Sequence, residues 1–143
     1  MAKRILTAWR QTGANMVRVV IADDEYLVAM ALHHAVESCG WEVVGRAATG
    51  AEAVGLCCAH RPDVVFMDLR MPGKDGLEAT REIMETCPTC VIVVTGNRHS
   101  CGAAAEAGAM GYAAKPLRAN QMPSLVDAAL GRFGRFMAAQ RVP

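Results

Sequence analysis

Val17–Ala22, VRVVIA, is a short run rich in β-branched residues that ends on two aspartates, Asp23 and Asp24. A nearly continuous apolar run of this length describes a strand covered on both faces, which is the habit of a parallel sheet. Outward from it, Glu42–Ala47 (EVVGRA), Asp63–Met67 (DVVFM) and Cys90–Thr95 (CVIVVT) repeat the pattern, and Ala109–Ala114 is a weaker fifth strand. The intervening segments carry helical spacing. Leu27, Met30, Ala31, Val36 and Cys39 share the expected buried side of the first helix, which Gly40 ends. Ala51–His60 is the second helix, closed by Arg61-Pro62, and Leu77–Thr86 the third, stopped before Pro88. Ser100–Gly108 is a poor fourth helix, because Gly102 and Gly108 each cost about 1 kcal/mol in a helix interior. Asn120–Met137 is the last, with Leu125, Val126, Ala129, Leu130, Phe133 and Phe136 as a stripe and Pro123 in the first turn. Five β–α units in series predict an α/β fold, a doubly wound five-stranded parallel sheet with helices on both faces.

The chain has 143 residues, the size of one domain, and 52% of them are apolar, enough for a substantial core. Fifteen Lys and Arg against 14 Asp and Glu leave a net charge of +1, which argues against direct nucleic-acid binding through a broad basic surface. No apolar run reaches the roughly 18–20 residues of a membrane span, and MAKRILTAWRQTGANM lacks the apolar centre of a secretory signal. A soluble, cytoplasmic protein is expected, with residues 1–15 as a flexible extension, 16–137 as the domain and 138–143 as a tail. The six cysteines therefore read as reduced thiols. Cys87-Pro88-Thr89-Cys90 has redox spacing, but it leads into a strand and not a helix, so small buried apolar residues are the expectation. His33 and His34 point about 100° apart on a helix and suit no shared metal.

In a doubly wound sheet the functional crevice lies at the carboxyl ends of the strands. Those ends carry Asp23-Asp24, Asp68, Thr95 and Lys115; Glu25 reads as a helix-N-terminal acid. A single aspartate at a strand end is ordinarily a cap or turn residue. Three together repel at roughly 1–4 kcal/mol per close pair, and a hard divalent cation with oxygen ligands relieves that. A metal, a nucleophilic carboxylate, a hydroxyl donor and an ammonium describe phosphoryl transfer.

Asp23-Asp24, the stretch from Asp68 to Gly76 (DLRMPGKDG), Thr95-Gly96 and Lys115-Pro116 resemble the receiver domain of bacterial two-component response regulators. The likeness covers about Val17 to Phe136. Gly108 to Pro116 (GAMGYAAKP) is similar to the fifth-strand region of receivers that precede RNA-binding antitermination domains. The resemblance implies a flavodoxin-like fold with strand order 2-1-3-4-5. It further implies Asp68 as phosphoacceptor, and Mg²⁺ held by Asp23, Asp24, Asp68 and the backbone carbonyl of Arg70. Thr95 and Lys115 would contact the phosphoryl group, Gly96 would leave it space, and Tyr112 would be an aromatic switch. The donor would be a sensor histidine kinase or histidine phosphotransfer protein. A downstream protein would bind the face of the fourth helix, fifth strand and fifth helix.

The expected function is thus a phosphoacceptor signalling module that catalyses only its own phosphorylation and slow dephosphorylation. Six residues follow Met137, too few for an effector domain, so a stand-alone receiver or phosphorelay element is expected, with the receiver part of a larger transcription or antitermination regulator as the alternative. An aspartyl-phosphate hydrolase would carry a DxD motif after its first strand; here Asp68-Leu69-Arg70 follows the third. Thr95 to Lys115 spans twenty residues, about two fewer than is usual for such receivers, which predicts a short, mobile fourth helix beside Tyr112.

Overall fold

The β-branched runs become strands at their expected places. In the computed structural model, which describes residues 16–140, β1 is Arg18–Ala22, β2 Glu42–Ala47, β3 Val64–Met67, β4 Cys90–Thr95 and β5 Gly111–Ala114. All pair in parallel in the order β2-β1-β3-β4-β5. The helices are α1 Tyr26–Ser38, α2 Gly50–His60, α3 Gly76–Thr86, α4 Cys101–Ala107 and α5 Met122–Gln140. The extension expected over residues 1–15 lies outside the described residues.

Strand alternation divides the core. Val19, Ile21, Val64, Phe66, Ile92 and Val94 face α1 and α5; Val20, Ala22, Val65, Met67, Val91 and Val93 face α2, α3 and α4. β1, β3 and β4 are buried on both faces, which is why their sequences lack polar alternation. β5, like β2, is a half-buried edge strand, and it begins at Gly111, two residues later than expected.

Four other expectations need correction. In α1 the buried residues are Ala29, Leu32 and Val36, whereas Leu27 is 81% exposed and Ala31 is exposed too. The spacing 29, 32, 36 is a true helical stripe, but one built partly from a small alanine, so the larger Leu27 misleads the phase. Gly108 is the left-handed cap of α4 (φ +110°), with its N–H bonded to Ala105 O at 3.0 Å. Glycine is favoured there and costs nothing relative to an interior site. Helix α5 runs to Gln140, so residues 138–140 continue the domain's last helix. Finally, Cys58 in the last turn of α2 and Cys87 at the end of α3 form a disulfide, with Cα atoms 5.3 Å apart. Two helices packed side by side bring their ends level across a separation of 29 residues. Cys90 packs in the cluster on the opposite face of the sheet from Cys58, so the CxxC spacing joins nothing.

Candidate functional site

Parallel register places the carboxyl ends of β1, β3, β4 and β5 side by side. Asp68 N–H donates to Ala22 O at 2.8 Å, Asp23 N–H to Ala47 O at 2.9 Å and Lys115 N–H to Thr95 O at 3.0 Å. Each of these three residues is thus fixed by the hydrogen bond that ends its strand ladder. Asp23 and Asp68 are buried, at 4% and 5% exposure, and Asp24 is exposed beside them. Carboxylate oxygens of all three lie within 4.8 Å of one another. Lys115 Nζ is 2.9 Å from Asp23 Oδ2 and 3.2 Å from Asp68 Oδ1.

This crowding shows in the titration of the groups. Burial, and next the neighbouring charge of Asp23, push the Asp68 carboxyl above the usual range, against the pull of Lys115. Burial alone would lower the Lys115 ammonium, but its close pairing with Asp23 and the charges of Asp68 and Asp23 outweigh that and raise it. The lysine is therefore charged, and its one ammonium pairs with two of the three clustered carboxylates.

Asp23 Oδ1 accepts the Glu25 N–H at 2.9 Å, while buried Asp23 Oδ2 has the Lys115 ammonium at 2.9 Å as its one close cation and accepts no well-directed hydrogen bond among the described residues. An oxygen in that condition, within a set of hard oxygen donors, fits a small divalent cation. Glu25 itself occupies the cap position of α1.

Thr95 is buried at the end of β4, and its hydroxyl accepts the Asn97 N–H at 3.2 Å. Tyr112, half-buried on β5, donates its hydroxyl to the Asn97 carbonyl. A side chain at Gly96 would meet only open space, and Arg70 is exposed two residues beyond Asp68. The Lys115–Pro116 peptide is cis. α4 has seven residues and follows a 3₁₀ turn over Arg98–Ser100, so the short β4–β5 span is realised as a short helix.

Two residues here escape sequence reasoning. Asn97 joins Thr95 to Tyr112 through its backbone, a role no side-chain type announces. Gly76 opens α3 directly over the site: its N–H donates to Leu69 O at 3.0 Å, and a Cβ would collide with the carbonyl oxygen of Asp68. The available signal is Asp75-Gly76, a capping aspartate that accepts the Glu78 N–H at 2.9 Å, followed by a residue with no side chain.

Comparison with known proteins agrees with this arrangement. Residues 19–127 match the response regulator receiver domain family. The chain is 36% identical to the chemotaxis protein CheY of Thermotoga maritima over 121 residues, covering 82% of this chain and 98% of that protein. It is 38% identical to the transcriptional regulatory protein PdtaR of Mycobacterium tuberculosis over 125 residues, covering 86% of this chain. The chain spans 61% of PdtaR and 30% of a protein-glutamate methylesterase/protein-glutamine glutaminase of Hahella chejuensis, to which it is 43% identical. Among solved structures, it resembles a chain of the CheX-CheY-BeF3-Mg+2 complex from Borrelia burgdorferi (TM-score 0.74, 29% identity, 82% of this chain and 90% of that one). It also resembles a LuxR-family two-component response regulator from Aurantimonas (TM-score 0.75, 29% identity, 90% and 100%). With the 2-1-3-4-5 sheet and acids at the ends of β1 and β3, these matches lead to one conclusion: the chain belongs to the response regulator receiver domain family.

Proposed function

We propose that Asp68 accepts a phosphoryl group from a phosphohistidine of a sensor kinase or phosphotransfer protein, and that the resulting aspartyl phosphate switches partner binding. The observation that carries this reading is the Lys115 ammonium lying between two buried carboxylates, Asp23 and Asp68, at adjoining strand ends. In the transfer the N–P bond of phosphohistidine breaks as an Asp68 oxygen bonds to phosphorus, and the released imidazole takes up a proton. Lys115 is placed to meet the charge on the phosphoryl oxygens, and Gly96 leaves room for the donor. Asp23, Asp24, Asp68 and the Arg70 carbonyl would hold Mg²⁺, which when bound supplies positive charge to the crowded carboxylates and the incoming phosphoryl oxygens.

Thr95 and Tyr112 would form the output element. Both are tied to Asn97 as described, so a Thr95 hydroxyl drawn toward the phosphoryl group gives up the Asn97 N–H and disturbs the carbonyl that holds Tyr112. The surface that would change is α4, β5 and α5, and the downstream partner would be a protein. Among the described residues no helix is long and apolar enough to cross a membrane; action in the cytoplasm, beside the kinase donor, is part of this proposal. The chemistry takes place on the chain's own carboxylate, so no separate substrate is turned over.

Incubation with Mg²⁺ and acetyl phosphate should add one phosphate, and Asp68→Asn should abolish it. Undiminished labelling of that variant, or labelling on His33 or His34, would sink the assignment.

A further inference from the structure

Phosphoryl transfer uses none of the cysteines, and these fall into two groups. Cys57 and Cys90 are fully buried, and burial pushes their thiols up to about 11 and about 12, which keeps them protonated and inert. Cys39 is half-buried and donates to the Ala119 carbonyl at 3.5 Å, and Cys101 is exposed with no cysteine partner among the described residues. Cys58 and Cys87 alone are brought together, with Cα atoms 5.3 Å apart, inside the range that a disulfide spans.

Their place in the fold gives the pair a meaning. The N-terminal ends of α2 and α3 are both tied to the phosphoacceptor loop, by Gly50 N–H to Lys74 O at 3.0 Å and by Gly76 N–H to Leu69 O. From there α2 runs about 12 Å and α3 about 16 Å away to their cysteines. The link closes a loop of 29 residues' separation that contains β3, Asp68 and all of α3. Cys87 is 6% exposed, whereas Cys58 is half-buried, so Cys58 is the sulfur that a thiol from solution can reach.

We propose that Cys58 and Cys87 form a reversible thiol–disulfide site that locks the ends of α2 and α3 remote from the phosphoacceptor, with a small-molecule disulfide as oxidant. The Cys58 thiolate attacks one sulfur of the disulfide, forming a mixed disulfide and releasing one thiolate. The Cys87 thiolate then attacks the Cys58 sulfur and releases the second. Two protein thiols are oxidised, one disulfide is reduced to two thiols, and the two protons pass to the leaving thiolates. Oxidation confines the unfolded chain and stabilises the Asp68-bearing segment, while the site at the opposite helix ends keeps its geometry.

The test is equilibration of the full chain in stepped ratios of reduced and oxidised glutathione, followed by acid quench, alkylation and peptide mapping. A Cys58–Cys87 linked peptide should appear with one midpoint, and melting temperature should rise by roughly 10 °C across it. Cys58→Ser should abolish the rise, and Cys90→Ser should leave the midpoint in place. Mapping on the unmutated chain decides the matter even where a variant folds poorly. A pair that stays reduced, or stays oxidised, over the whole range overturns the proposal, as does linkage through Cys57, Cys90 or Cys101. Asp68→Asn should give the same redox titration, so failure of phosphoryl acceptance and failure of this site are read separately.

Discussion

Asp63 and Asp68 stand at the two ends of β3, and burial pushes both carboxyls above the usual range. Their surroundings differ in kind. Asp63 accepts the Arg18 N–H at 2.8 Å, and the hydrogen bond and charge of Arg18 pull it back toward ionisation. Arg18 in turn donates its guanidinium to the carbonyls of His60 and Arg61, at 2.7 and 3.1 Å, where α2 ends. That acid is a bracket between β1, β3 and α2. Asp68 has a like charge beside it and shares its one cation with Asp23. The shift has one direction at both ends, so the shift alone does not locate the site. What distinguishes Asp68 is negative charge in excess of its compensation, held in place by strand ladders that do not let it relax.

If that contrast is right, Mg²⁺ acts on one end only. At about 100 times its Kd it should stabilise the protein by near 2.7 kcal/mol. Denaturant melts should show Asp68→Asn weakening this response and Asp63→Asn leaving it whole; equal loss in both would erase the distinction. Next in size, Asp63→Ala strips the acceptor from the Arg18 N–H and should cost roughly 2 kcal/mol with or without metal. Asp68→Asn should do the reverse in the absence of metal, raising stability by about 1 kcal/mol because it removes one of three crowded charges. A fall in apo stability would mean the carboxylates are not clustered as described.

The smallest effect is the pH dependence of that gain. The folded-state pKa of Asp68 lies above its unfolded value of 3.8, so the native chain holds this proton more tightly. Ionising Asp68 therefore costs stability as pH rises through the folded pKa, and the cost is absent below 3.8. The advantage of Asp68→Asn should be full at neutral pH and vanish on acidification below that value. A gain that persists in acid would assign it to something other than charge.

Much of this was open to a reader of the sequence because parallel strands advertise their own ends. Once VRVVIA, DVVFM and CVIVVT are strands, Asp23, Asp68 and Thr95 must lie where the helices begin, and Lys115 follows the weaker fifth run. Strand order needed the family resemblance, since nothing local distinguishes 2-1-3-4-5 from its alternatives. Leu27 misled because hydropathy weighs size, whereas a helix seated on a sheet brings small residues such as Ala29 closest. Cys58–Cys87 was hidden because its proximity arises from helix packing and leaves no trace in spacing. Gly108 was misjudged by one position, the difference between a helix interior and its cap. Asn97 acts through its peptide group, which every residue has.

The lysine of the site directly follows an edge strand. β5 is four residues long and pairs with β4 alone, whereas Asp23 and Asp68 follow strands in the middle of the sheet. Edge strands are the first to fray, and amide exchange measures the free energy of that opening. Here opening would carry Lys115 away from two buried carboxylates, so the ion pairs act as a clasp on the sheet's margin. Any cation that settles among the carboxylates competes for that clasp. Exchange at the Lys115 amide, bonded to Thr95 O, should quicken as cation fills the site, so the margin would report the state of the centre.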